Sequence, residues 1–263
     1  MKFRVVRDAL SPERPAFAVL ALFLLTILYS YPAIFHLSNY LIGGTTDSWQ
    51  FPWNSFIFRE QIAHFSDPYF TDYIYYPVGT SLLLHSYTEF NGFVSVLLSP
   101  LCGIIAAHNV AVMLSTFLSG IGTYLLARRI TNHSVASLFA AVAFAFSPFR
   151  MISILGHVNF ALTQWIPFSI WAFLRMGEEP RTRNSFLTAL MVALTCYSNY
   201  YYGIFLAVAF CLILLFGTWR FPRWRSPKLL THLLLAGFFT AILLAPIELR
   251  VYRDYREGNC LPV

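Results

Sequence analysis

Five long stretches of this chain carry almost no charge. Asp, Glu, Lys and Arg are missing from Pro15 to Phe58 apart from Asp47, and from Asn109 to Ala127. They are missing again from Met151 to Leu174, from Asn184 to Trp219 and from Leu229 to Ile247. A helix crossing the hydrocarbon core of a bilayer needs about 20 consecutive, mostly apolar residues. Backbone groups that meet lipid must be satisfied within their own segment, which selects helices. The pattern therefore predicts an all-α integral membrane protein, a polytopic helical bundle of about seven spans.

The first span is read from Phe17 to Phe35. Lys2, Arg4, Arg7 and Arg14 precede it and no A-x-A cleavage site follows, the pattern of an uncleaved signal anchor. A polar, aromatic segment then runs from His36 to Gly92, with residues 37–92 forming the outer loop. Phe93 to Ala107 is interrupted by Pro100 and Gly103 and is too short to cross. If it nevertheless crossed, the later basic clusters would fall on alternating sides. If it lies in the interface or re-enters, Lys2, Arg4, Arg7, Arg14, Arg128, Arg129, Arg175, Arg181, Arg183, Arg220, Arg223, Arg225 and Lys228 share one side. Arg59, Arg150, Arg250, Arg253 and Arg256 are then left on the other. The positive-inside rule selects the second arrangement, with a cytoplasmic N-terminus. Spans two to four are expected at Asn109–Ala127, Ser134–Ser147 and Val158–Leu174. The 36 uncharged residues from Asn184 to Trp219 exceed one crossing and divide at Ser198–Gly203, giving spans five and six. Leu229–Ile247 is span seven. Ser115, Ser119, Gly120, Gly122 and Thr123 predict a closely packed face on span two.

Composition agrees. Hydrophobic residues make up 57% of 263 positions and charged residues 11%, with a mean hydropathy of +0.60. A soluble domain carries roughly 25% charged residues. The net charge of +6 resides at span ends and forms no interleaved patch, which argues against nucleic acid as a partner. Cys102, Cys196, Cys211 and Cys260 form no CxxC and no zinc spacing, and read as small packing residues.

Chemistry concentrates in the outer loop, where Asp47, Glu60, Asp67, Asp72 and Glu89 face a single basic residue, Arg59. The loop is also rich in aromatic side chains, which suit headgroup anchoring or the lining of a sugar and phosphate site. Asp47 follows Gly43-Gly44-Thr45-Thr46. It can cap a helix or act as a general base toward an acceptor hydroxyl or amine. Glu89 reads either as a second-site carboxylate or as a solvated loop charge. Arg150 can snorkel, or pair with a lipid-linked phosphate through its guanidinium fork. His157 is either an interfacial histidine or a ligand. Tyr76-Pro77-Val78-Gly79 reads first as a turn. Trp49, Tyr76 and His85 complete the candidate substrate-binding set with Arg150 and His157. No diagnostic metal ligands occur, and Asp47 with Glu89 is the one candidate pair for a divalent cation.

Several segments together resemble a known family. After Gly43-Gly44-Thr45-Thr46-Asp47 and Tyr75-Tyr76-Pro77-Val78-Gly79 come Ala107-His108-Asn109 and Leu118-Ser119-Gly120-Ile121-Gly122-Thr123-Tyr124-Leu125-Leu126-Ala127-Arg128-Arg129. Phe144-Ala145-Phe146-Ser147-Pro148-Phe149-Arg150, Gly156-His157 and Thr163-Gln164-Trp165-Ile166-Pro167 follow. Over roughly residues 15 to 250 the chain resembles the GT-C-type membrane glycosyltransferases of bacteria and archaea and their relatives, the YfhO-like membrane proteins among them. The resemblance implies transfer of a sugar from a polyprenyl-phosphate-linked donor to a glycan, lipid or protein acceptor on the outer face of the cell (inner) membrane. It implies membrane-parallel helices in the first outer loop. It also implies a catalytic acidic residue just after the first helix, the place Asp47 occupies, with a divalent cation needed in some relatives. Family members generally continue for more helices, so residues 1–263 are expected to form a single GT-C-like transmembrane domain from the N-terminal part of a longer architecture. Two other readings stay open: a transporter or flippase component for lipid-linked glycans, which needs polar groups near mid-membrane, and a truncated, non-catalytic membrane protein.

Overall fold

The computed structural model describes residues 15–44, 46–83 and 86–256. Thr45, His85, the N-terminal basic cluster and Cys260, all named above, lie outside them. Eleven α-helices account for nearly all regular structure among the described residues: α1 (Pro15–Tyr29), α2 (Gln50–Ala63), α3 (Glu89–Cys102), α4 (Ile104–Thr131), α5 (Ser134–Ala145), α6 (Pro148–Gly156), α7 (Val158–Ala161), α8 (Trp165–Glu178), α9 (Thr182–Ser198), α10 (Tyr200–Arg220) and α11 (Pro227–Arg256). A two-stranded antiparallel ribbon, β1 (Phe70–Thr71) with β2 (Thr80–Ser81), lies in the loop between α2 and α3. The chain is an all-α, polytopic membrane protein. Four segments of the described residues are long and apolar enough to cross a bilayer: Ile104–Thr131, Ser134–Gly156, Tyr200–Arg220 and Pro227–Arg256.

Several boundaries differ from those read in the sequence. α3 ends at Cys102, and Gly103, at a φ of +79°, starts the 28-residue α4. Span two is therefore longer than its uncharged run and carries Arg128 and Arg129 in its last turn. The expected span four is not continuous, because Leu162–Gln164 separate α7 from α8. α8 and α9 have only 14 and 17 residues. The hairpin between spans five and six turns at Asn199, inside the expected interval; its side chain accepts from the Tyr201 N–H at 3.1 Å. α11 runs nine residues past Ile247, ending at Arg256.

α4 is the central helix, and its small residues allow close approach on two sides. A Cβ on Gly120 would meet Leu22 of α1 at 2.9 Å, and one on Gly122 would meet the Phe168 ring of α8 at 2.8 Å. This is the small-residue packing of membrane helices. Around it, uncharged polar side chains bond across helices. Gln164 is fully buried; it accepts from Ser115 Oγ at 2.6 Å and donates to Asn91 Oδ1 at 3.2 Å and Ser198 Oγ at 3.1 Å. Four elements are thereby joined at the break before α8, where lipid or apolar packing could not satisfy the freed groups.

The two ends of the bundle differ in chemistry. At one, Glu178 pairs with Arg129 and, at 3.7 Å, with Arg223. Trp224 packs there between Gly177 and Gly217, where added Cβ atoms would meet its ring at 2.3 and 2.4 Å. At the other end, the loop between α2 and α3 clasps the end of α11. Arg250 binds Asp67 at 2.8 Å and Asp254 at 2.9 Å, and Ser81 Oγ donates to Asp254 at 2.6 Å. The loop has a small core of its own, with Ile57, Leu82 and Tyr87 buried among Trp53, Phe56, Phe58 and Tyr69. Much of the aromatic content of this loop is packing.

Candidate functional site

Asp47 is placed by the loop that leaves α1. Asn109, buried in the first turns of α4, accepts from Ile42 N–H at 2.9 Å and donates to the carbonyls of Leu37 and Tyr40 at 2.8 and 2.7 Å. One amide thus folds the segment ahead of Gly43. At Gly43, φ is +120° and a Cβ would lie 2.6 Å from the Ile154 carbonyl, so only glycine brings the backbone this close to α6. Ser48 then donates to the Leu155 carbonyl at 3.0 Å. The short 3₁₀ turn Thr46–Trp49 carries Asp47 to the C-terminal end of α6, 3.7 Å from His157 Nδ1.

The N-cap of α2 is Trp49, without a side-chain bond, and the Ser48 hydroxyl is engaged by α6. Asp47 lies in the first turn of the 3₁₀ helix that runs directly into α2, and its carboxylate faces an imidazole. Both groups are more than half exposed (56% and 67%), so the pair adds little to stability and its carboxylate remains accessible.

Glu89 occupies a different place. It begins α3 and lines a cavity of about 290 Å³ whose walls come from the loop before α3, from α7, and from the facing ends of α9, α10 and α11. Leu83, Tyr87, Asn159, Cys196, Asn199 and Ile247 form its buried lining, and Ser86, Tyr200, Tyr201 and Glu248 its exposed mouth. Burial pushes the Glu89 carboxyl up to about 8, against a weaker lowering by its own backbone amide. It is therefore mostly protonated at neutral pH. At the mouth the Tyr200 hydroxyl donates to Glu248.

Asp47 does not line this cavity. The two are linked through rings: His157 touches Phe160 edge-on, and Phe160 stacks on Tyr201 at the mouth, each with centroids 6.2 Å apart. Glu248 was not among the sequence candidates. Its signal was its position one residue beyond the last uncharged run, on the side assigned to the acidic loop.

Arg150 is 1% exposed, so it does not snorkel. Nη1 donates to Ser119 and Thr163, each at 2.5 Å, and Nη2 to Thr116 at 3.0 Å, while Nε is buried without a partner. No carboxylate pairs with it among the described residues. Like Gln164, this polar cluster spends its hydrogen bonds on its own members rather than on an open passage, so a transport reading gains no support. Tyr76 lies in the turn where Val78 and Gly79 N–H groups both bond the Tyr75 carbonyl at 3.0 Å; it is 81% exposed. Trp49 is 54% exposed beside Asp47. No cluster of three or more His, Cys, Asp or Glu able to hold a metal occurs among the described residues.

The fold and this acidic, aromatic end define a multi-pass membrane protein with a small cavity beside an accessible carboxylate. Residues 93–246 match the dolichyl-phosphate-mannose-protein mannosyltransferase family, a family of GT-C-type membrane glycosyltransferases, and the chain belongs to it. No curated protein sequence and no solved structure matches the chain.

Proposed function

We propose that this membrane glycosyltransferase moves a sugar from a polyprenyl-phosphate-linked donor to a glycan, lipid or protein acceptor at the acidic, aromatic end of the bundle, on the outer face of the cell membrane. The observation that carries this reading is the fixed placement of Asp47. Gly43, Ser48 and Asn109 hold its loop against α6 and α4, yet the carboxylate stays open and faces His157 at 3.7 Å. In a chain of this family, an accessible carboxylate directly after the first helix suits a general base.

The acceptor O–H loses its proton to Asp47 as its oxygen attacks the anomeric carbon. The bond from that carbon to the phosphate oxygen breaks on the opposite face, and the polyprenyl phosphate departs with the electron pair. His157 orients the carboxylate. Arg150, a buried cation without a carboxylate partner among the described residues, favours an anion nearby. It also fixes the helices behind the site through three hydroxyls. Residues 37–92 supply the site and the rest of the chain its transmembrane scaffold. Asp47 and Glu89, the candidate pair for a divalent cation, do not share the cavity, and Glu89 is mostly protonated, so no step above runs through a cation.

Membranes containing the protein, supplied with radiolabelled polyprenyl-phosphate sugars, are expected to incorporate label into acceptor. Asp47→Asn should lower the rate by roughly 10²–10⁴-fold, the usual scale of general base catalysis. Transfer by Asp47→Asn at the wild-type rate would remove Asp47 from the mechanism.

A further inference from the structure

The basic end of the bundle is left unused by the transfer chemistry, and its charge is not neutralised from within. Over residues 128–131, 175–183 and 220–228, nine Lys and Arg side chains meet two acids, Glu178 and Glu179. We propose that the turn after α10 is a seat for one anionic phospholipid. Arg220 and Arg223 hold the phosphate of its headgroup, and the exposed strip of α10 takes its acyl chains.

The turn is held in place by bonds that do not involve these two arginines. Pro222 opens the 3₁₀ segment Pro222–Arg225, and Trp224 anchors it between Gly177 and Gly217. Arg225 closes the end of α10: Nε donates to the Thr218 carbonyl at 2.6 Å and Nη2 to that of Trp219 at 3.1 Å. Arg220 and Arg223 stay exposed on this frame. Their guanidinium groups lie 5.5 and 5.4 Å from the centroid of one ring, Phe221, so two like charges are gathered around a single aromatic side chain. Arg220 has no carboxylate partner among the described residues. Arg223 reaches Glu178 at 3.7 Å, but that acid is already paired with Arg129. A phosphate supplies the missing counter-charge, and guanidinium forks bind its oxygens through paired N–H donors.

The surface beside the two arginines is apolar. Val208, Leu212, Leu215 and Trp219 are exposed at helical spacing, so they form one strip along α10 that ends at Phe221. Phe216 packs against both Trp219 and Phe221, with ring centroids 6.0 and 6.4 Å away. At about 1.5 Å per residue the strip is roughly 16 Å long, about one leaflet of a hydrocarbon core roughly 30 Å thick. Aromatic rings stand at its charged end, the headgroup level. A soluble phosphate would use the cations and leave the strip bare. A zwitterionic lipid would bring its own cation against the arginines. A diacyl lipid with net negative charge matches both parts.

Native mass spectrometry of the purified protein in mixed detergent micelles counts the lipids it keeps. Phosphatidylglycerol and phosphatidylcholine with the same acyl chains are compared, alone and with glycerol 1-phosphate or a polyprenyl phosphate as competitor. Expected is one phosphatidylglycerol, retained in preference to phosphatidylcholine. Its apparent affinity should fall roughly fivefold in Arg220→Gln and in Arg223→Gln, the scale of one basic side chain at an anionic lipid surface. Unchanged thermal unfolding of both variants in lipid-free detergent guards against misfolding. Arg183→Gln, at the same end but in α9, should leave retention as it is, and so should Asp47→Asn. Equal retention of the two lipids, parental retention in both Arg→Gln variants at the turn, or an equal loss in Arg183→Gln would mean diffuse attraction rather than a seat, and overturns the inference. Displacement by glycerol 1-phosphate makes this a phosphate site, and displacement by polyprenyl phosphate a donor site; either overturns it too. Retention of neither lipid does the same, leaving the surface to water or to an acidic protein.

Discussion

At the scale of single residues, Glu89 shows how burial turns a loop acid into a proton carrier. Its carboxyl is raised from 4.5 to about 8, so the folded protein keeps this proton across a window in which the unfolded chain has released it. Between those values the folded state binds more protons than the unfolded one, and stability from this group falls as pH rises, levelling off above about 8. Thermal unfolding in detergent from pH 5 to 9 should therefore show a downward trend that Glu89→Gln flattens. An identical slope in the variant would place the titration elsewhere. The sequence disclosed that Glu89 sits before an apolar run, and Asp47 just after another, but not that they occupy different compartments. Their separation depends on which α6 carbonyl receives Ser48 and which helix ends wall the cavity, contacts that join residues about a hundred positions apart. Arg150 was ambiguous for a similar reason. Its side chain could reach either water or the bundle, and only the hydroxyls of Thr116, Ser119 and Thr163 draw it inward.

At the scale of elements, uncharged runs located the helices because lipid tolerates little else, and a missing charge is a long-range signal. Breaks were harder to read. The interruption at Leu162–Gln164 contains no glycine or proline; its backbone makes short local turn bonds, and its polar side chains bond across to α3, α4, α6 and α9. Short helices such as α8 likewise depend on packing more than on propensity. The Trp224 anchor illustrates this at the basic end. The indole lies between α8 and α10 only because Gly177 and Gly217 leave room, and with both faces occupied the ring cannot give way. Gly217→Val is expected to destabilise by about 1–3 kcal/mol through overpacking. The lowered midpoint of thermal unfolding should be partly recovered by Trp224→Leu in the same chain. A variant as stable as the parent would show that the ring is free to swing aside.

At the scale of the whole molecule, one geometric fact ties the charge pattern to the architecture. The acidic loop after α1 is bound directly to the end of α11 through Asp67, Arg250, Asp254 and Ser81, while Arg129, Glu178 and Arg223 meet at the other end. These two clusters cannot share a side of a bilayer if α10 and α11 cross it. From the Lys and Arg clusters the positive-inside rule predicts that the proposed site lies outside. Labelling of single cysteines in intact cells checks this at positions whose side chains are open. In a background with Cys102, Cys211 and Cys260 replaced by serine, Tyr76→Cys should react with a membrane-impermeant maleimide before lysis. Arg223→Cys, 56% exposed at the opposite end, should react only after the cells are opened. The reverse order would put Asp47 and the cavity in the cytosol, where a donor presented on the outer leaflet could not reach them. Equal labelling of both positions in intact cells would instead contradict the separation of the two ends.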